Sequence, residues 1–132
     1  MSQKDELVKS GLFVTQADAI TGGRTAGDGA AVTQITTRAT GVTINAICGA
    51  ITTDNTSLAA AAEATFIVTN SYVAATDVPV VAMKTITTGT PVAHVTNVGA
   101  GVFSITLTNL HASTADTSAD VINFIILKAV AS

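Results

Sequence analysis

The sequence predicts an all-β protein: an antiparallel, jelly-roll-like β-sandwich that follows an N-terminal arm. Two features of the body and one of the start lead there. From Ala30 onward Thr, Val and Ile dominate, with a period of two along the chain. Clusters of turn-forming residues interrupt that pattern about every ten residues, the spacing of short strands in a sandwich. Ahead of the body, Gly22, Gly23, Gly27 and Gly29 fall close together, too dense for the interior of an element. The expected organisation is an arm and glycine-rich linker over 1–29 and one β-sandwich domain over 30–132.

Each element is argued in chain order. Residues 2–18 hold Lys4, Asp5, Glu6, Lys9 and Asp18, with Leu7, Val8, Leu12, Phe13 and Val14 among them as a short amphipathic segment. Residues 32–36 and 42–47 read as strands, with Thr40-Gly41 turning between them. Gly49 permits a bulge or bend before a strand over 50–53. Asp54-Asn55-Thr56-Ser57 is a turn, since those side chains bond nearby backbone groups. The alanine-rich segment 58–64 has helical propensity but is short and runs at once into strand residues.

Residues 65–70 form a strand. So do 80–84, with Pro79 at the first position, where a missing N–H is tolerated. Residues 87–90 with Pro91 turn, 92–95 extend, and 96–101 close a hairpin. Phe103, Ile105 and Leu107 alternate with Ser104, Thr106 and Thr108, so one face meets a core and the other does not. After a polar loop from His111 to Asp120, the segment 121–127 is apolar on nearly every residue. A strand apolar on both sides is covered on both sides, so Val121, Ile122, Phe124, Ile125, Ile126 and Leu127 are the candidate core or subunit seam.

Composition narrows the function classes. Only 11% of the 132 residues are charged and the net charge is −3, so six Lys and Arg cannot build the basic face that nucleic acid or an anionic membrane requires. Hydrophobic residues make up 48% but aromatics only 4%, so the apolar content is small side chains that bury little area each. Such a chain gains stability by burying surface against other subunits. The longest apolar stretch falls short of the roughly 20 residues of a membrane span. The charged start lacks a secretory core, and the internal Lys-Asp-Glu-Leu at 4–7 is not a terminal retention signal.

Chemistry is sparse. Cys48 is the sole cysteine and, in an apolar alternating context, reads as a buried inert thiol. His94, in a strand, and His111, in a loop, lack the further ligands of a metal site. Ser104, His111 and Asp120 supply the residue types of a triad without a positioning motif. Asp54, Glu63, Asp77, Asp116 and Asp120 sit mostly in turns, and Tyr72 is the only tyrosine to serve as a sugar platform. The glycines at 22–29 match no phosphate loop, and Asn55-Thr56-Ser57 matches a glycosylation sequon that is common by chance. No enzyme activity and no cofactor is expected.

Residues 27–34, 36–45 and 48–52 (GDGAAVTQ, TTRATGVTIN, CGAIT), with 62–71, 74–78, 101–110 and 119–128, resemble a small β-domain of structural proteins from tailed phages, cyanophages included. The resemblance covers about residues 27–130. It implies a virion component, nearest to trimeric capsid decoration (cement) proteins, made in the host cytoplasm and placed on the outer surface of the capsid. The implied partners are copies of the chain itself, as a homotrimer, and the phage major capsid protein; residues 1–26 lie outside the resemblance, and the arm is the candidate for the capsid contact. A tail-fibre or spike module that binds host glycans is the alternative, against which the poverty in aromatics counts.

Overall fold

The computed structural model describes residues 29–129. Eight strands make up the fold: β1 (Gly29–Thr33), β2 (Val42–Thr43), β3 (Cys48–Thr52), β4 (Glu63–Thr69), β5 (Val78–Thr85), β6 (Pro91–Gly99), β7 (Val102–Asn109) and β8 (Val121–Leu127). They form two four-stranded sheets, in the orders β1-β3-β8-β5 and β2-β4-β7-β6. There is no helix among the described residues. The all-β, two-sheet expectation therefore holds.

The sheets are mixed rather than wholly antiparallel. β1 runs parallel to β3 and β2 parallel to β4, each pair at a sheet edge, while the other pairings are antiparallel. The chain's route explains the parallel pairs. After β1 it passes into the second sheet as the two-residue β2, then returns to the first beside β1, so each crossover brings a strand back in the same sense.

The core lies between the sheets. Ala64, Phe66 and Val68 of β4 and Phe103, Ile105 and Leu107 of β7 face it from one side, and Ile51 of β3 with Ile122, Phe124 and Ile126 of β8 from the other. Phe103 and Phe124 meet across the layers at 5.8 Å between ring centroids with planes tilted 53°, a favourable edge-on contact. The alternation over 103–108 is realised as expected. So is the central position of the 121–127 strand, but its two faces differ: Ile122, Phe124 and Ile126 are core, whereas Val121, Ile125 and Leu127 point away from it.

Several boundaries move. The first strand is 29–33 rather than 32–36, so Gly29 belongs to a strand paired with Cys48 and not to a linker. Gln34 turns inward instead, where its amide donates to the carbonyls of Arg38 (3.1 Å) and Thr40 (2.8 Å), so a buried polar side chain ends the strand. β6 continues through 96–99 around a register irregularity after Val95, and the hairpin closes at Ala100-Gly101 with Gly101 at φ 77°. The alanine-rich 58–64 segment makes no helix. Leu58 bridges Asp116, Ala61 adopts φ 62°, and β4 starts at Glu63. Leu7, Val8, Leu12, Phe13, Val14, Gly22, Gly23 and Gly27 lie outside the described residues.

Gly49 is neither bulge nor bend. It sits within β3 opposite Phe124, where an added Cβ would lie 2.5 Å from the Ala30 carbonyl oxygen and 3.1 Å from the Phe124 ring. Gly49→Ala is therefore expected to destabilise the fold by about 1–3 kcal/mol through overpacking. Urea denaturation measures this, and a variant within experimental error of the parent contradicts the close approach.

Candidate functional site: two unlike faces and a buried charge cluster

Because strand side chains alternate, the core-facing registers fix which residues each sheet shows outward. On the β1-β3-β8-β5 sheet the outward residues line up in rows across the strands: Gly29, Cys48, Ile125, Val80 in one and Ala31, Ala50, Asn123, Ala82 in the next. Beyond the first row, Leu127 pairs with Val78. No charged side chain occurs in these rows, although Lys84, two residues beyond Ala82 on β5, is exposed at the end of the same face; Val78, Val80 and Leu127 are 51%, 43% and 44% exposed. The small residues of β1 and β3 leave an open depression of about 520 Å³ beside the large aliphatics of β8 and β5.

The outer face of the other sheet is hydroxyl-rich. Thr65, Thr69, Ser104, Thr106 and Thr108 point outward from β4 and β7. Thr106 Oγ1 lies 2.8 Å from Thr65 Oγ1 and 3.2 Å from Thr96 Oγ1, a row of hydroxyls bonded to one another across three strands. Thr108 donates to Glu63 across the β4–β7 pair (3.2 Å). The exposed His94 lies in this sheet, opposite Thr106. Satisfied hydroxyls make a face suited to solvent, in contrast with the aliphatic face on the opposite side.

A third feature is a charge cluster at the end of the sandwich where β1, β3, β5 and β7 finish. Arg38, Asp116 and Asp120 are all buried. Arg38 Nη1 lies 2.9 Å from Asp116 Oδ2 and 3.5 Å from Asp120 Oδ2. Its Nε donates to the Thr56 carbonyl (2.5 Å) and Nη2 to the Ser118 carbonyl (2.7 Å). One guanidinium thus ties the loop after β1, the loop after β3 and the loop before β8. Asp116 Oδ1 accepts from Thr88 Oγ1 (3.0 Å), Ser118 Oγ (2.8 Å) and the Ser118 N–H (3.1 Å), adding the loop after β5.

Two carboxylates facing one guanidinium cannot both ionise cheaply in a buried site. Burial, the hydrogen bond to Asp116 and the Asp116 charge push Asp120 up to about 6. Asp116 is held below the usual carboxylate range: burial acts to raise it, but hydrogen bonds from Asp120, Ser118 and Thr88 outweigh that. Asp116 Oδ2 is in charge contact with Arg38 yet receives no aligned N–H from it. Between the depressed value of Asp116 and about pH 6 the cluster is Arg⁺, Asp⁻ and AspH, neutral as a whole.

Buried asparagines reinforce both ends. Asn109 donates to the carbonyls of Leu58 (3.0 Å) and Thr114 (2.9 Å) and accepts from the Thr90 N–H (3.0 Å). At the opposite end Asn70 donates to the Ala46 carbonyl (2.7 Å). There Lys128 pairs with Asp77 at 2.6 Å, and that hydrogen bond, with one from the Ala74 N–H, lowers the Asp77 carboxyl.

The residue types considered for catalysis do not meet. Ser104 sits within β7, five strand steps or about 17 Å from the strand's end at Asn109, and His111 lies two residues beyond that end. His111 Nδ1 is occupied in accepting the N–H groups of Ser113 (3.1 Å) and Thr114 (2.8 Å). The Asp120 carboxylate faces Arg38 and Ser118. Of the five acids singled out, only Asp116 and Asp120 come together, and they are closed to solvent. Among the described residues no three His, Cys, Asp or Glu side chains converge as a metal-ligand set. Cys48 is buried, as expected.

The Arg38 cluster escaped the reading of sequence because its members lie 78 and 82 residues apart. The available signal was a lone arginine in a neutral strand-rich stretch and an Asp-x-x-x-Asp pair within a Ser/Thr loop.

What the fold and its surfaces define is an eight-stranded, two-sheet β-sandwich with one aliphatic outer face that carries a single strand charge, Lys84. Comparison with protein-family models, curated proteins and solved structures finds no match.

Proposed function

We propose that the chain is a capsid decoration (cement) protein of a tailed phage, forming homotrimers on the outer head surface and bridging major capsid protein subunits. The observation that carries this reading is the aliphatic outer face of the β1-β3-β8-β5 sheet, on which Lys84 at the end of β5 is the only charged strand residue. A contiguous apolar face on a chain this poor in charge is suited to contact with other subunits. The resemblance of residues 27–130 to phage structural β-domains supplies the setting. The eight strands in two layers fit a jelly-roll-like body, from which the parallel pairs β1/β3 and β2/β4 are departures.

In this reading the mechanism is mass action with bridging. Contacts that exist only on the assembled shell stabilise it against internal pressure, and three linked arms raise the effective concentration of each. The sandwich stands outward, and residues 1–26, with Leu7, Val8, Leu12, Phe13 and Val14, make the capsid contact. Deleting residues 1–26 is expected to leave a folded oligomer that no longer co-sediments with shells stripped of the protein. Undiminished co-sedimentation of the truncated chain contradicts the role of the arm.

A further inference from the structure

We infer that copies of this chain meet through the outer face of the β1-β3-β8-β5 sheet, the aliphatic ridge of one entering the small-residue trough of the next. The inference deepens the self-association proposed above and rests on it. The ridge is Val78, Val80, Ile125 and Leu127, four side chains joined by the pairings Val80–Ile125 and Val78–Leu127. The trough is the depression beside them, lined by Gly29, Ala31, Cys48 and Ala50, where the outward side chains shrink to Cβ, Sγ or nothing.

Ridge and trough lie side by side in one sheet, in rows that hold no charge, with Lys84 of β5 beyond them at the end of the face. The match selects a second copy as occupant. A partner bearing charge would strand it against aliphatics, at a cost no group here offsets. A lipid surface is normally held by basic or aromatic side chains, and the rows contain neither. A copy of the same face brings neither penalty, and the sole amide in the rows, Asn123, lies at the trough margin. Ridge and trough are different patches, so the contact is head-to-tail, and it closes as a ring if the rotation between copies permits. The hydroxyl-bonded face of the other sheet remains outside the contact.

The test uses the full chain and three variants, Val80→Glu on the ridge, Ala50→Glu in the trough and Ile67→Glu on the opposite sheet, where Ile67 is 54% exposed. Each is weighed by light scattering and sedimentation, with circular dichroism melts as the folding control. Val80→Glu and Ala50→Glu are expected to weaken association at least roughly 100-fold by burying an unpaired charge, and Ile67→Glu to leave it within about twofold. Hydroxyl-radical footprinting of the unmodified chain removes dependence on variant folding. In the assembled protein Leu127 is expected to be labelled far less than Ile67, although the two are similarly exposed in the single chain. A parent chain that is monomeric at micromolar concentration removes the self-association reading itself. A parent oligomer that keeps its mass in Val80→Glu and Ala50→Glu, or in which Leu127 is labelled like Ile67, overturns the assignment of the face and leaves self-association standing.

Discussion

Replacing Arg38 by methionine is expected to lower the unfolding free energy by about 3–5 kcal/mol, the cost of breaking a buried ion pair from one side. The variant strands two carboxyls that share one proton. It also leaves the carbonyls of Thr56 and Ser118 without their donors. In a domain of this size the loss corresponds to a fall in Tm of roughly 15–25 °C. Arg38→Lys recovers little, because one ammonium cannot reach carbonyls on two loops and the Asp116 carboxylate as the planar guanidinium does. Adding Asp116→Asn and Asp120→Asn to Arg38→Met recovers a large part, since it removes the stranded charge along with its partner. Guanidinium unfolding measures all three. An Arg38→Met variant within about 1 kcal/mol of the parent contradicts the cluster as the lock on this end of the sandwich.

The second large effect is on pH dependence. Asp120 has a folded value of about 6, above its unfolded value, so its contribution to stability is fully present below about pH 4 and is lost as pH rises through 6. Asp116 has a depressed folded value, so its contribution is present above about pH 4 and is lost as pH falls through that depressed value. The cluster therefore favours the fold most near pH 4, weakens as pH rises from about 4 to 6, and is level above. The shift of Asp120 is on the order of 3 kcal/mol between those limits. Asp120→Asn keeps a donor toward Asp116 and removes the titration. Its Tm should exceed that of the parent at pH 8 and match it near pH 4. A parent whose Tm is flat from pH 5 to 8, with no gain from Asp120→Asn, contradicts the shared proton.

The sandwich was legible in the sequence to the extent that it depends on local alternation. The β7 strand, with Phe103, Ile105 and Leu107 inward, follows from side-chain period alone, and so does the inward half of β8. The parallel edges were not legible, because pairing sense depends on how the chain crosses between layers and a two-residue β2 carries no periodic signal. Gly29 and Gly49 misled for a common reason. A glycine is read first as freedom of the backbone, but Gly49 is required by close approach of Ala30 and Phe124, which no local pattern encodes.

The site was legible in part. The apolar excess of 121–127 foretold a strand with two apolar faces. It could not foretell that the outward half would join Val78 and Val80 on an exposed face, since that depends on β5 lying beside β8. The charge cluster was hidden for the same reason. Arg38 meets Asp116 and Asp120 only when loops from four connections close over one end. By contrast the scatter of Ser104, His111 and Asp120 follows from strand length as soon as β7 is recognised.

The unequal outer faces give the functional account its physical basis. One sheet shows an outward row of mutually bonded threonine hydroxyls beside a single exposed Ile67, whereas the other gathers several aliphatic side chains on its outward face over a chain that carries few charges to keep copies apart. The loops above are locked by a buried cluster that stabilises the body without supplying reactive groups to solvent. Electron cryomicroscopy of the particle that carries this chain tests the central claim most directly. The account predicts three sandwiches clustered about a three-fold axis on the outer surface of the head, their β1-β3-β8-β5 faces turned toward one another. Isolated single sandwiches on the head, or density for the chain on the tail alone, would contradict it.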